Sequence, residues 1–243
     1  MMTEISLLDF ADSSGDFALA PFFCDGQKID GAKWGMSLLK AGTMRFRWNE
    51  KNPNRDEFFL RVFPNKIVSS VELIHSKIVV ESKVENDTNL IRADGIATKN
   101  EKIVPVVTVA DCVPIFLFDA KTKARCVVHS GWKGTGIAAE GVSFLKERFG
   151  SNENDIFAAI GAHICENCYR VDEERREIFA RDFGKESVKG ECLSLTAANV
   201  GVLLRAGVPE KTSQFQKIAL AAHKKMARLR LAVFVANPRS LKI

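Results

Sequence analysis

The strongest constraint on this chain is the stretch from Val104 to Ser130. Three apolar runs, VPVVTVAD, VPIFLFDA and ARCVVHS, follow one another with only Cys112 and a short polar turn between them. Each holds four to seven apolar or β-branched residues without polar alternation, as in strands covered on both faces. A fold that buries three successive strands on both sides needs layers above and below the sheet. With 243 residues, 46% of them apolar, the chain has the material for such a core and does not read as disordered.

Around this block the spacing predicts further elements. TMRFRW at 43–48 alternates like a strand, NRDEFFLRVF at 54–63 reads as a short helix, and KIVSSVELIH and SKIVVES read as two strands in close succession. Helices enter after the block. TGIAAEGVSFLKERFG places Ile137, Val142, Leu145 and Phe149 at helical spacing and closes on Gly150. DIFAAIGA is a strand, VDEERREIFARDFG a charged helix, and SLTAANVGVLLRAG a helix ending at Gly207. Strands mostly first and helices mostly later predict an α+β or mixed α/β fold in a single domain, residues 1–243.

Composition excludes several classes. The net charge of +5 is not spread evenly: residues 211–243 carry eight Lys or Arg and no acidic residue, leaving 27 basic against 30 acidic residues elsewhere. A slightly acidic body lacks the electrostatic footprint of a nucleic-acid binder, and no nucleic-acid partner is expected. No run approaches the roughly 18 apolar residues of a spanning helix, and MMTEISLLDFADSSGDF does not read as a signal peptide. A cytoplasmic protein with no membrane partner is the expectation. Its six cysteines are then thiols, ligands or nucleophiles rather than a disulfide framework. Cys126, inside ARCVVHS, reads as core filling.

Three residues share a context that points to chemistry. His75 is placed at the end of VSSVELIH, Cys112 at the end of VPVVTVADC and His129 at the end of ARCVVH. If the strands are neighbours, two imidazoles and a thiolate form a three-ligand metal site with a fourth position open, as in catalytic zinc centres. The bland alternative is a buried thiol and core histidines. Asp111 is a candidate for orienting a ligand from behind, and Asp94 in ADGIAT is either a turn residue or a catalytic carboxylate. HSGWKGTG follows at once: Gly131, Lys133 and Gly134 before a helix N-terminus form a candidate phosphate cradle, with a plain glycine-rich connection as the alternative. Cys165 and Cys168 make the one C-x-x-C pair. It reads as a redox motif or, more simply, as cysteines packed beside the cleft.

Four segments, ADGIAT, TVADCVPIFLFD, HSGWKGTG and IGAHICENCYRV, resemble in order and spacing the bacterial laccase-domain family, across roughly residues 70–210. That family was first described as multicopper polyphenol oxidoreductases and later as purine nucleoside phosphorylases. The resemblance implies a mixed β-sandwich flanked by helices and a zinc site at His75, Cys112 and His129. It departs at AHICENC, where Cys165 and Glu166 are atypical. Residues 211–231 are atypical too: the family's strand and cysteine- and arginine-rich motifs are not recognisable in KTSQFQKIALAAHKKMARLRL. That segment reads instead as a basic amphipathic helix with Phe215, Ile218, Ala222, Met226 and Leu229 on one face. A local shift of reading frame would leave the same pattern, because AVFVANP again resembles the family's last strand.

The expected function is therefore a zinc-dependent purine nucleoside phosphorylase with adenosine deaminase activity. Its partners would be purine nucleosides and phosphate, with Asp94 assisting proton transfer to the base. Copper is the less favoured metal: four histidines and no H-x-H pair suit a multicopper oxidase poorly. A metal-independent hydrolase with Cys112 as nucleophile and His129 as base, and a binding protein without catalysis, are the other classes.

Overall fold

The computed structural model describes residues 2–216 and 231–236. In chain order the strands are β1 (Thr3–Ile5), β2 (Phe17–Cys24), β3 (Gln27–Ser37), β4 (Ile67–Ser70), β5 (Val79–Glu81), β6 (Gly95–Thr98), β7 (Ile103–Val109), β8 (Val113–Asp119), β9 (Arg125–Ser130) and β10 (Ile156–Ile160). A small ribbon, β11 (Val188–Lys189) and β12 (Cys192–Leu193), precedes β13 (Ser213–Gln216) and β14 (Leu231–Ala236). The helices are α1 (Pro53–Val62), α2 (Ile137–Phe149), α3 (Glu173–Phe183) and α4 (Leu195–Arg205).

Two mixed sheets face each other. One has the order β1-β13-β10-β8-β9-β6-β5, the other β2-β3-β14-β7-β4. The apolar runs of β8, β9 and β10 are buried on both faces because each face serves a different core. Ile115 and Leu117 of β8, Cys126 and Val128 of β9, and Ile156 and Ala158 of β10 pack with Val142 and Leu145 of α2, Phe179 of α3 and Val202 of α4. The alternate residues, Phe116, Phe118, Val127 and Phe157, point the other way and meet Phe22, Trp34, Met36 and Val107 of the second sheet. Phe58, Phe59 and Val62 of α1 cover that sheet's outer face with Val104 and Val106. The layers are thus helix, sheet, sheet, helices: the α+β sandwich flanked by helices that the sequence predicted. Period-2 alternation disappears from the hydropathy because both sides of each strand are interior.

Local chemistry sets the ends of elements. Asn52 caps α1 by accepting from the Arg55 N–H (3.2 Å), with Pro53 in the first turn. Asp172 caps α3 through Arg175 N–H at 2.8 Å. Gly150 closes α2 in the left-handed conformation, φ 70°.

Three expectations are corrected and one element was not foreseen. Residues 43–48 are irregular, not a strand. Their carbonyls are taken by side chains: Asn52 Nδ2 donates to Thr43 (3.1 Å) and Arg45 (2.9 Å), and Asn54 Nδ2 also reaches Thr43 (3.2 Å), so no sheet partner is needed. KIVSSVELIH is a strand only to Ser70, because the chain then crosses from one sheet to the other. The N-terminal hairpin β2–β3 was not foreseen; its signal was Asp25-Gly26, both at positive φ (47° and 78°), the favoured two-residue hairpin turn. Finally, the start of the tail is not helical. Ser213–Gln216 is a strand, parallel to both β1 and β10, and it supplies the strand thought missing after Pro209. Of the predicted helix face, Phe215 lies on β13, while Ile218, Ala222, Met226 and Leu229 fall outside the described residues. The expected closing strand is β14, which pairs antiparallel with β3 and β7.

Candidate metal centre and its cavity

β6, β9 and β8 lie side by side and antiparallel, so the start of β6, the end of β9 and the start of β8 share one edge. Gly95 pairs with Val128, and Ser130 with Val113. His129 sits on β9 itself. Cys112 is the last residue of the turn between β7 and β8. His75 does not end a strand, as expected, but lies in the crossing loop at φ +60°, the left-handed region that histidine enters more readily than most side chains. Ligand-type atoms of these three residues lie within 4.8 Å of one another, the one such trio among the described residues. The two imidazole rings meet edge to face, with centroids 4.9 Å apart.

Asp94 holds this arrangement. It is fully buried, one residue before β6. Its Oδ1 accepts from the His75 backbone N–H (3.0 Å) and faces His129 Nδ1 (2.9 Å). Its Oδ2 accepts from the Ser76 N–H (2.6 Å) and hydroxyl (2.7 Å). A single carboxylate thus folds the loop that presents one imidazole and orients the ring of the other, leaving His129 Nε2 for a metal. Burial alone would raise the Asp94 pKa, but the hydrogen bonds from His129 and Ser76 outweigh it and hold it below the usual carboxylate range. Burial would likewise lower that of His129; its bonds to Asp94 and Cys112 overcome this and push it up to about 9. Asp94 was expected to pass a proton to the substrate. It stands behind His129 with both oxygens engaged, where it can orient that ring.

The glycines of HSGWKGTG make close approaches to the neighbouring loop. A Cβ on Gly131 would stand 2.9 Å from His75 Cδ2 and 3.0 Å from Cys112 Sγ, and one on Gly134 would stand 2.9 Å from the Ser76 carbonyl oxygen. Both let the β9–α2 turn press against the His75 loop. The helix N-terminus behind them is approached by Lys77, whose Nζ would lie 3.0 Å from a Cβ on Gly136. Lys133 does reach the open side. With His75, Cys112, Trp132, Tyr169 and Leu195 it lines a cavity of about 380 Å³. A smaller recess of about 190 Å³, lined by Phe46, Arg47, Thr108 and His129, opens on the other side of His75 and Cys112.

Sequence reasoning missed Tyr169 and Arg175. Arg175 stacks on Trp132, its guanidinium carbon 4.2 Å from the ring centroid, and hydrogen-bonds Tyr169. Lys133 Nζ is 5.4 Å from the same ring. Two cations therefore lie at the Trp132 ring beside the cavity. The available signal was that Tyr169 is the only tyrosine in a chain with 17 phenylalanines. Asp111 lines the cavity beside Cys112, and its carbonyl accepts from Ile164 N–H at 3.1 Å. His163 is no ligand: its Nδ1 donates to the Gly161 carbonyl (2.8 Å) and its Nε2 accepts from Thr196 (3.0 Å). Burial drops its pKa to about 4 and keeps it neutral. Cys165 and Cys168 flank a turn, not the start of a helix, so a thioredoxin-like placement is not met.

A β-sandwich flanked by helices, with two imidazoles and a thiol converging at one edge, defines a class of protein whose centre could hold one metal ion. Residues 50–226 match the family described as multi-copper polyphenol oxidoreductase laccase, and the chain belongs to that family. The match runs into the segment after Lys211 that looked foreign to it. Among curated relatives, an adenosine deaminase RL5 from an unknown prokaryotic organism is 37% identical over 134 residues, 51% of each chain. A purine nucleoside phosphorylase of Clostridium acetobutylicum is 34% identical over 114 residues, 46% of this chain and 48% of that one. The chain spans about half the length of these curated relatives. The crystal structure of YlmD from Geobacillus stearothermophilus superposes with a TM-score of 0.74 over 89% of this chain and 99% of that one; at 20% identity this speaks for the fold. No helix among the described residues is long and apolar enough to cross a membrane.

Proposed function

We propose that the protein is a zinc-dependent purine nucleoside phosphorylase with adenosine deaminase activity, acting in the cytoplasm on small molecules and not on nucleic acid. The observation that carries this reading is the convergence of His75, Cys112 and His129, with His75 and Cys112 opening on a cavity walled by Trp132, Lys133 and Tyr169 and Arg175 stacked on Trp132. The donor set suits zinc: two imidazole nitrogens and a thiolate, one imidazole backed by a buried carboxylate, and a glycine where any side chain would invade the ligands. Copper fits less well, since multicopper chemistry needs several clustered histidines and the described residues offer one trio. Zinc held there would supply Lewis acidity at the open side of the trio.

The remaining roles belong to the chain. Trp132, 38% exposed, offers aromatic surface to a purine beside the stacked Arg175. Lys133 and Arg175 bring two positive charges beside it, matching phosphate and the negative charge that develops as the glycosidic bond breaks. Tyr169 supplies a phenolic hydroxyl at the same wall. The test is turnover of inosine and adenosine, with and without phosphate, before and after chelation. Phosphate-dependent release of free base, lost on chelation and restored by zinc, is expected. Turnover with no phosphate requirement would overturn phosphorolysis. Lys133→Ala is expected to raise the phosphate KM roughly tenfold, the loss of one charge-assisted contact, while deamination is retained.

One observation favours a second reading. His129 hydrogen-bonds the Cys112 thiol, the pairing a cysteine nucleophile needs. Hydrolysis that survives complete metal removal would select it.

A further inference from the structure

The C-x-x-C pair lies outside the work of the metal centre. The Cys168 N–H donates to the Cys165 carbonyl (3.0 Å), closing a four-residue β-turn. Such a turn brings its end Cα atoms within about 7 Å, and a disulfide takes Cα atoms roughly 4.4–6.8 Å apart. The side chains point together as well, since the Cys168 thiol is hydrogen-bonded to that of Cys165. Cys168 is exposed and Cys165 half-buried, lining a groove of about 830 Å³. Cys192 on β12 lies near enough to act electrostatically on Cys168, because β12 is bridged to this segment: Arg170 pairs with Cys192, and Leu193 N–H donates to the Tyr169 carbonyl (3.0 Å). The deeply buried Cys126 shows the contrast: burial alone holds its thiol protonated, with nothing beside it to react with.

We propose that Cys165 and Cys168 are a dithiol modification site that reacts with small-molecule disulfides of the glutathione class. The Cys168 thiolate, accessible from solvent, attacks one sulfur of the small disulfide and expels a thiolate, leaving a mixed disulfide. The Cys165 thiolate then attacks Cys168 Sγ, the Cys165–Cys168 bond forms, and the second small thiol leaves. Two protons are lost from the protein, two electrons pass to the small disulfide, and two small thiols result. Excess reduced thiol reverses both steps. The bond from Cys165 pushes the Cys168 thiol above its usual range, so the forward rate rises with pH. The residues on either side of the turn, Ile164 and Tyr169, both stand in the wall of the metal cavity, so closing it fixes that wall.

The experiment incubates the full chain in glutathione buffers of graded ratio, quenches by acid, and reads intact mass and a non-reducing peptide map. Loss of about 2 Da, with Cys165 and Cys168 in one cross-linked peptide and full recovery in excess reduced glutathione, is the expected result. Cys192→Ser should leave this unchanged. Cys165→Ser should stop at a stable mixed disulfide on Cys168. A Cys168–Cys192 bridge, or two free thiols at 165 and 168 in glutathione disulfide alone, overturns the assignment.

Discussion

The two ends of the β8–β9–β6 block use the same device for different purposes. At its far end Asp119 is fully buried, and its Oδ1 accepts from the backbone N–H groups of Lys121 (2.7 Å) and Thr122 (2.9 Å), tying the β8–β9 turn. At its near end the carboxylate is Asp94, one residue before β6, equally buried and likewise bound to a loop backbone. Burial would raise both acids and their hydrogen bonds lower both. The difference is one acceptor site: Asp94 spends it on an imidazole that faces a cavity, whereas Asp119 binds its own turn through Oδ1 and its buried Oδ2 has no hydrogen-bond partner among the described residues. A buried carboxylate is thus a folding element by default. It becomes part of a functional centre when one of its partners has a second, outward-facing nitrogen.

Metal content measured across a variant series can break this comparison. Cys112→Ala removes a candidate ligand and is expected to lower metal affinity by more than about 100-fold, beyond what loss of a supporting partner does. Full occupancy by elemental analysis would show that the trio is not the metal centre. Asp94→Asn keeps the shape but weakens the hold on His129 and the 74–76 loop, and a loss of about 10–100-fold is expected in a metal titration. If Asp94→Asn binds metal normally, the near end is no different from the far one.

Gly131→Ala tests the close approach. A methyl group 3.0 Å from Cys112 Sγ forces a shift costing about 1–3 kcal/mol, read as roughly tenfold weaker metal binding. The smallest effect on metal, none, is expected for Asp119→Asn, which should instead lower stability by about 1–3 kcal/mol. Its pH signature has a definite sign. A carboxylate held below its ordinary value contributes stability above that value and loses it as pH falls through the lowered one. The variant's stability should therefore drop less than that of the natural chain when acidified below about pH 4. Parallel acid limbs in urea unfolding would remove Asp119 from the account.

Legibility varied with the range of the forces involved. The strand block 103–130 could be read because burial on both faces writes itself into composition, and α2, α3 and α4 because caps and apolar spacing are local. The trio of His75, Cys112 and His129 could be named from the sequence. Its mutual distances could not, since they depend on β6, β9 and β8 being neighbours and on a loop that crosses between sheets. Residues 43–48 misled because alternation there serves packing while Asn52 and Asn54 satisfy the backbone. Ser213–Gln216 misled because a strand between two parallel partners needs little amphipathic signal of its own.

By itself, then, the sequence determined the layered α+β class, the identity of three candidate ligands and the glycines that follow one of them. It could do so because hydrophobic pattern and residue chemistry are properties of short segments. Only the tertiary structure decided that Asp94 stands behind His129 rather than in front of it, that Gly131 and Gly134 serve close approach, and that Arg175 lies on Trp132. Each of these depends on segments 30 to 60 residues apart meeting within hydrogen-bonding or van der Waals distance. Contacts of that kind are set by how the sheets and helices pack together, which no local run of residues encodes.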